Sequence, residues 1–177
     1  MKSMRIGVIS DTHGLLRPEA LRALRRSDLI LHAGDVCGAH VIEELRAIAP
    51  VTVVRGNNDR DPWGRRLPET ASLEVEGVRL HVLHDLQELA LDPLEEGVAV
   101  VVSGHSHQPT SERRGGVLYF NPGSAGPRRF RLPVTVGRLV VRKGRVSARI
   151  VVLQPSEGSA QRNGGSFGPM ARRRPSG

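Results

Sequence analysis

The first 55 residues alternate between short apolar runs and helical patterns, and this alternation limits the fold more than any other feature of the chain. Each apolar run is bounded by polar residues, which is typical of a buried strand. Each helical pattern carries apolar residues on one face; Pro18 begins the first helix and Pro50 stops the second. The predicted order is strand 4–10, helix 18–26, strand 29–32, helix 39–48 and strand 51–55. This βαβαβ order favours a parallel sheet with right-handed crossovers.

The second half of the chain is predicted to be rich in β-strands. A hairpin around Glu76-Gly77 and a buried strand are followed by three further strands, the last two joined at Lys143-Gly144. The predicted strands are 72–75, 78–83, 98–103, 116–120, 134–142 and 145–153. A second, β-rich sheet therefore follows the βαβαβ half. The expected fold class is α/β, a four-layer α/β/β/α sandwich of two mixed β-sheets flanked by helices.

A chain of 177 residues is long enough for one domain with a sizeable core, and we predict that domain over residues 1–154. From residue 155 onward Gly, Ser, Pro and Arg dominate and no hydrophobic periodicity remains. Residues 155–177 are accordingly predicted to be a disordered basic tail.

The net charge of +8 comes almost entirely from arginine, since Lys2 and Lys143 are the only lysines. Such a charge is compatible with polyanion binding, and equally with a solvated basic surface. The arginines are scattered and lack interleaved aromatic residues, which favours the second interpretation; the densest cluster is 171–175, in the predicted tail.

The sequence predicts a cytoplasmic protein with no membrane partner. No apolar stretch approaches the roughly 20 residues of a membrane helix, and the N-terminal run ends in Asp and His without a signal-peptide pattern. The single cysteine, Cys37, excludes an internal disulfide and suits a reducing compartment.

Polar residues with metal-binding side chains follow almost every predicted strand. Each one alone could belong to an ordinary polar turn. In an open α/β sheet, however, ligands bind beyond the carboxyl ends of the strands, where these side chains would converge. Carboxylate, imidazole and amide oxygen suit divalent Mn, Fe, Co, Ni or Zn, and the set is too large for one tetrahedral zinc. The candidate ligands are Asp11, His13, Asp35, Asn57, His84, His105 and His107.

The motifs around these residues resemble those of the calcineurin-like metallophosphoesterase superfamily. They are D-x-H, G-D, G-N-x-D, a lone His and G-H-x-H, in that order. The compact length and the turn 121–124 resemble the small bacterial and archaeal phosphodiesterase branch, to which the scaffold subunit of the retromer complex is related. The resemblance runs from about residue 4 to residue 153.

The resemblance implies a role for each candidate ligand and a site for two divalent metal ions, manganese first among the candidates. Asp11, His13 and His107 would hold the first metal, and Asp35 would bridge both. Asn57, His84 and His105 would hold the second metal. Attack by metal-bound hydroxide would be in line, without a covalent enzyme intermediate. The residues implied in catalysis are Asp35, Asn57, His84 and Asp59, the last by fixing a metal-ligating group.

Two positions depart from the pattern of the family. Asn58 stands where many larger relatives have a histidine that is a candidate acid for the leaving group, which favours aryl or cyclic esters as substrates. His84-Asp85-Leu86 stands where small-branch members often have His-Gly-His, so the expected ligand is kept and the second histidine is lost.

Other residues near these motifs are open to two interpretations. Asn58, Arg60 and His40 are the candidates for substrate binding, and Arg55 or Arg128 could also bind a phosphate. Trp63 could stack on a base, although plain packing is favoured. His81 is predicted to be structural, whereas His32 could orient a ligand or be a buried histidine with satisfied hydrogen bonds. The turn that ends at Ser124 has a structural pattern; by resemblance to the family it lies near the metal site, where Ser124 could add hydrogen bonds.

The expected function is metal-dependent hydrolysis of phosphate esters, with a phosphodiesterase of small esters or nucleotides favoured. A non-catalytic interaction scaffold and a nuclease are the alternatives. The complete ligand set weighs against a scaffold, and the absence of an aromatic stacking platform weighs against a nuclease. A homo-oligomer remains open, since no interface is indicated.

Overall fold

The computed structural model describes residues 3–129 and 131–154, so the predicted tail, 155–177, lies outside the described residues. The βαβαβ half forms as predicted and contributes three parallel strands to the first sheet. Its elements are β1 (Met4–Ile9), α1 (Pro18–Leu24), β2 (Leu29–His32), α2 (Ala39–Arg46) and β3 (Val51–Val53).

The second sheet has the strand order β4-β5-β6-β8-β7. Its strands are β4 (Thr70–Val75), β5 (Val78–Leu83), β6 (Val98–Val102), β7 (Thr110–Arg114) and β8 (Val117–Asn121). The β4–β5 hairpin is antiparallel, whereas β5, β6 and β8 run parallel. The strand β7 was not predicted, because all five of its residues are exposed and it shows no apolar alternation.

The last two strands, β9 (Thr135–Arg142) and β10 (Arg145–Val152), join the first sheet, not the β-rich second one. β9 pairs antiparallel with β1, which places the beginning and the end of the domain side by side in the order β10-β9-β1-β2-β3. Each sheet is therefore mixed and five-stranded.

Three apolar layers hold the sheets in place, and they confirm the predicted sandwich. The central layer lies between the two sheets and includes Val8 of β1 and Phe120 of β8. A second layer packs α1 and α2 on the outer face of the first sheet. The outer face of the second sheet is covered by the segment with the single-turn 3₁₀ helix Leu86–Glu88, so its helical layer is reduced to one turn. Another such turn, Gly64–Arg66, follows β3.

The helices in the described part of the chain are too short and too polar to cross a membrane.

Candidate metal centre

The loops that follow five parallel strands bring the seven predicted ligands to one end of the two sheets. Asp11 and His13 follow β1, Asp35 follows β2, and Asn57 follows β3. His84 follows β5, and His105 and His107 follow β6. The apolar runs give way to polar residues at the strand ends, and several of these polar residues are themselves buried, among them Asp11 and Asp35.

One compact group of possible metal-ligating atoms comprises Asp11, His13 and His107, the set predicted for the first metal. His107 Nε2 lies 3.2 Å from Asp11 Oδ1, and the Nε2 atoms of His13 and His107 lie 3.5 Å apart. These side chains are buried or nearly buried, so the group is shielded from bulk water.

A second compact group comprises Asp11, Asp35 and His84. His84 Nε2 lies 3.5 Å from Asp35 Oδ2 and 3.1 Å from Asn57 Oδ1. The same amide oxygen lies 3.1 Å from His105 Nδ1. Asn57 and His105 are thus connected to this group from its more exposed side.

Asp35 belongs to the second group and also approaches the first, while Asp11 is common to both groups. The Oδ2 atom of Asp35 is 3.7 Å from His13 Nε2 on one side and 3.5 Å from His84 Nε2 on the other. Burial opposes ionisation of this carboxyl, but hydrogen bonds from His84 and Asn58 hold its pKa well below the usual range, so it is an anion.

The donor set fits a bound cation because acceptor atoms face one another. His84 Nδ1–H donates to the backbone oxygen of Ala33 at 2.7 Å, so a neutral His84 ring directs the Nε2 lone pair at the Asp35 and Asn57 oxygens. Asp11 Oδ1 is buried and makes no hydrogen bond within the described residues. A divalent cation would satisfy these lone pairs together.

The raised pKa of His84 also indicates that a positive charge is favoured at this position. Burial favours the neutral ring, yet the hydrogen bond to Asp35 and that to Ala33 raise the pKa to about 9. A proton therefore occupies the place that a metal ion would take, and metal binding must release it.

The ligand loops hold non-glycine residues in the left-handed region of the backbone map. Such residues are uncommon, and they cluster at functional sites, where the surrounding structure has to stabilise them. Here the residues with φ between 46° and 66° are Asp11, His13, Asp35, Cys37, His105 and His107. Two further examples, Glu76 and Lys143, lie in hairpin turns away from the site.

The glycines of the motifs are required because the loops press on one another. A Cβ at Gly56 would collide with the backbone nitrogen and Oδ1 of Asp35, and one at Gly104 would collide with Ser10 Oγ. Glycine is therefore needed in the G-N and G-H motifs because the backbone at these positions lies directly against neighbouring loops of the site.

Asp59 fixes two of these loops to each other. Its carboxylate is 2% exposed and accepts hydrogen bonds from the backbone N–H of Cys37 and of Gly56, both at 2.8 Å. These hydrogen bonds agree with the role that the resemblance implies for Asp59, which is to fix groups around the ligands.

Asn58, a predicted substrate-binding residue, is hydrogen-bonded to a candidate ligand. Its backbone N–H and its Nδ2 each donate to an oxygen of Asp35 at 2.7 Å. The side chain therefore orients Asp35.

The other predicted substrate contacts lie at the edge of the site. His40 Nε2–H donates to the backbone oxygen of Gly14 at 3.0 Å, and none of its hydrogen bonds in the described structure reaches a candidate ligand. Arg60 lies beside the site, with its Nε donating to the backbone oxygen of Asn57 at 2.9 Å. Arg55 forms an ion pair with Glu69.

The remaining residues near the motifs contact other groups. Trp63 packs against the apolar layer under the helices, and His81 is hydrogen-bonded to Ser72 Oγ at 2.8 Å. His32 lies 3.0 Å from Thr12 Oγ1. Ser124 Oγ donates to the backbone oxygen of Asp11 at 3.0 Å, which is the supporting contact expected of it.

Two residues close to the ligands were missed as neighbours of the site. Cys37 Sγ lies 3.8 Å from His13 Nδ1, and burial, aided by the charge of Asp59, raises the pKa of this thiol to about 11. Burial lowers the pKa of His13, and the positive charge of Arg129 acts in the same direction. The sequence signal for Cys37 as a neighbour of the site was its position two residues after Asp35. The signal for Arg129 was its position shortly after the turn 121–124.

A cleft of about 390 Å³ opens next to the second group of ligands. It is lined by Arg55, Gly56, Asn57, Glu69, His84, Asp85, Glu88 and His105. A cleft of similar volume near Arg17 and Arg128 contains none of the candidate ligands, so the cleft beside His84 and His105 is the candidate binding pocket.

Comparison with known proteins agrees with this geometry. Residues 4–144 match the model of the calcineurin-like phosphoesterase superfamily domain. The chain is 41% identical over 133 residues to the "Probable metallophosphoesterase" of Methanothermobacter thermautotrophicus, covering 68% of this chain and 77% of that one. It is 29% identical over 166 residues to phosphodiesterase YfcE of Escherichia coli, covering 77% and 87%.

The structure of Vacuolar Protein Sorting 29 from Cryptosporidium parvum has the same fold, with a TM-score of 0.67 at 20% identity over 84% of this chain and 97% of that chain. From the family match, the 41% identity and the shared fold, we conclude that this chain belongs to the calcineurin-like phosphoesterase superfamily.

Proposed function

We propose that the protein is a metal-dependent phosphodiesterase that hydrolyses small phosphate esters or nucleotides at a centre for two divalent cations. The observation that carries the proposal is the convergence of two groups of ligand atoms that share Asp11, with Asp35 Oδ2 at 3.7 Å from His13 Nε2 and 3.5 Å from His84 Nε2. The relatives support the same class of reaction, since YfcE is a phosphodiesterase.

In this proposal each cation has its own ligands and shares Asp35. Asp11, His13 and His107 would hold one cation; Asn57, His84 and His105 would hold the other. Manganese is the first candidate, with nickel, cobalt, iron and zinc as alternatives. When bound, two such cations supply an activated water and neutralise charge on the phosphate during in-line displacement.

The remaining residues fix the ligands. The hydrogen bond from His84 to Ala33 sets the tautomer of that ring and leaves Nε2 free for a cation. Asn58 holds the carboxylate of Asp35, and Asp59 holds the loops. Since Asn58 cannot protonate a leaving group, esters of acidic alcohols would be the best substrates.

The cleft favours a diester over a monoester. Three carboxylates, Glu69, Asp85 and Glu88, contribute to its lining; Arg55 forms an ion pair with Glu69, and His105 Nε2 lies 3.6 Å from Asp85 Oδ2. A phosphate monoester carries about two negative charges near neutral pH, whereas a diester carries one, so repulsion from this wall is weaker for the diester.

The first test is hydrolysis of an activated aryl phosphodiester and the matching monoester by metal-stripped protein. Manganese, nickel, cobalt, zinc and magnesium would be added back one at a time. We expect turnover of the diester over the monoester with at least one metal. Folded protein that turns over neither ester with any metal would contradict the proposal and favour the interaction scaffold.

The second test removes single ligands. We expect Asp35→Asn and His105→Ala each to lower metal-dependent hydrolysis by more than ~100-fold, because each removes a direct ligand. The matched control is Asp92→Asn, an exposed carboxylate that caps the loop before β6, at the end of that strand remote from His105. Circular dichroism and thermal unfolding of the metal-free variants would show that the fold is kept; full activity in either ligand variant would overturn the assignment.

A nuclease is the second candidate, favoured by the net charge of +8. Binding to nucleic acid should weaken steeply as salt rises, because neutralised phosphates release counterions. Titration of single-stranded and duplex DNA at two salt concentrations would reveal that dependence; binding that does not change with salt would exclude this candidate.

A further inference from the structure

A second cleft, of about 270 Å³, is lined in part by the candidate ligand Asn57. It is lined by Arg55, Gly56, Asn57, Asp59, Arg60 and Arg65. Arg55, Gly56 and Asn57 also line the larger cleft, so the two clefts meet at a candidate metal ligand. A molecule bound at the centre could extend into both.

Two of the arginines in this cleft are held in place by the backbone. Arg60 Nε donates to the oxygen of Asn57 at 2.9 Å, and Arg65 Nε donates to the oxygen of Arg60 at 2.8 Å. The 3₁₀ turn that carries Arg65 is itself capped, since Gly64 N–H donates to Asp61 Oδ1 at 2.7 Å. Both guanidinium groups are therefore pre-organised, which reduces the entropy lost when they bind an anion.

The positive charge of these arginines is not compensated. No carboxylate in the described ranges 3–129 and 131–154 forms an ion pair with Arg60 or Arg65, and their terminal amino groups make no hydrogen bond there. The carboxylate of Asp59, which also lines the cleft, is buried and bonded to two backbone N–H groups. Glu69 is engaged by Arg55.

We infer that Arg60 and Arg65 form a subsite for a second phosphate group of the substrate. The inference rests on the proposed function: the ester bond would be cleaved at the metal centre while a phosphate elsewhere on the same small molecule binds the two guanidinium groups. Guanidinium groups match phosphate oxygens in geometry and charge. The substrate class is a phosphodiester with an additional phosphate monoester, such as a nucleoside phosphodiester that is also phosphorylated on its other hydroxyl group.

The test compares two substrates with the same scissile bond. Thymidine 5′-(4-nitrophenyl phosphate) and its 3′-phosphorylated counterpart release the same nitrophenol and differ only in the second phosphate. At constant ionic strength, with the metal that supports aryl diester hydrolysis, we expect kcat/KM to be about tenfold higher for the phosphorylated compound.

The variant Arg65→Gln should bring that ratio close to one. The matched control is Arg66→Gln, which removes the neighbouring exposed arginine of the same 3₁₀ turn that does not line the cleft. It should leave the ratio unchanged. If Arg60 and Arg65 only stabilised the loop of Asn57, their variants would slow both substrates equally and keep the ratio.

The outcomes separate the two proposals. Equal hydrolysis of both compounds by the wild type, or a preference that neither Arg65→Gln nor Arg60→Gln changes, would overturn the subsite and leave the phosphodiesterase. Hydrolysis of neither compound with any metal would contradict the phosphodiesterase. In that case calorimetric binding of thymidine 3′,5′-bisphosphate to the wild type and to Arg65→Gln would decide the subsite, since equal binding would overturn it.

Discussion

The imidazole of His32 shows how one buried residue limits the conditions under which the fold is stable. Thr12 Oγ1 donates its proton to the backbone oxygen of Val36 at 3.1 Å, so it accepts the proton of His32 Nε2–H. The Nδ1 atom is buried without a hydrogen-bond partner in the described part of the chain. Burial therefore opposes a second proton and lowers the pKa of His32 to about 4.

His32 should make the free energy of unfolding depend on pH. The unfolded chain takes up the proton below about pH 6.5, whereas the folded chain takes it up only near pH 4. The contribution of His32 to the free energy of unfolding is fully present above pH 6.5. As the pH falls from 6.5 to about 4, the free energy of unfolding decreases by up to roughly 3 kcal/mol on account of this residue.

Urea unfolding of metal-free wild type and His32→Gln at pH 7 and pH 4.5 would measure the effect. We expect the difference in free energy of unfolding between the two proteins to shrink at the lower pH. A constant difference would show that His32 does not titrate in this range.

At the residue scale, the sequence predicted the site residues whose location follows from where a strand ends. The seven candidate ligands follow strand ends, and that pattern is visible in the sequence alone. The hydrogen-bond partners of Asn58 and Asp59 were not visible, because they are Asp35 and Cys37, more than twenty positions earlier in the chain. Only the packing of two loops against each other brings these groups into contact.

At the scale of elements, the loops after β2 and β3 pack so closely at Gly56 that even the methyl group of alanine would not fit there. We expect Gly56→Ala to lower the free energy of unfolding by roughly 3 kcal/mol and to reduce metal-dependent hydrolysis, because the added Cβ displaces Asp35. Gly116→Ala is the control, since its Cβ would meet nothing within 4 Å and its φ of +90° should cost only about 1 kcal/mol.

Thermal unfolding and manganese binding of the two variants would be compared. A Gly56→Ala protein that binds manganese as the wild type does would contradict the close contact with Asp35.

Elements with an apolar face were predicted, and the element without one was missed. The strands β1, β2 and β6 are mostly buried, and their predicted limits differ from the observed ones by at most one residue. β7 is exposed along its whole length and is held at the sheet edge by backbone pairing with β8. The apolar pattern also leaves the partner of β9 undetermined, since alternation defines which face is buried and not which strand is adjacent.

At the scale of the whole molecule, every candidate ligand and both clefts beside them lie between residues 11 and 107. We therefore expect removal of residues 155–177 to leave hydrolysis of a small ester within about twofold of the full chain. Steady-state rates of the two proteins on the aryl diester would test this; a large loss of rate would show that the tail reaches the centre.

The pairing of β1 with β9 has a consequence for the order in which the molecule is completed. Met4 lies opposite Val141 and Val8 opposite Gly137, so β1 lacks one of its two neighbours until about 130 further residues have been synthesised. Pairings this distant in sequence form slowly, because a long loop must close first. A ribosome-bound chain thus exposes the edge of β1 for most of its synthesis, and its first ligand loop, which starts at Asp11, stays without this support until translation of the domain is nearly finished.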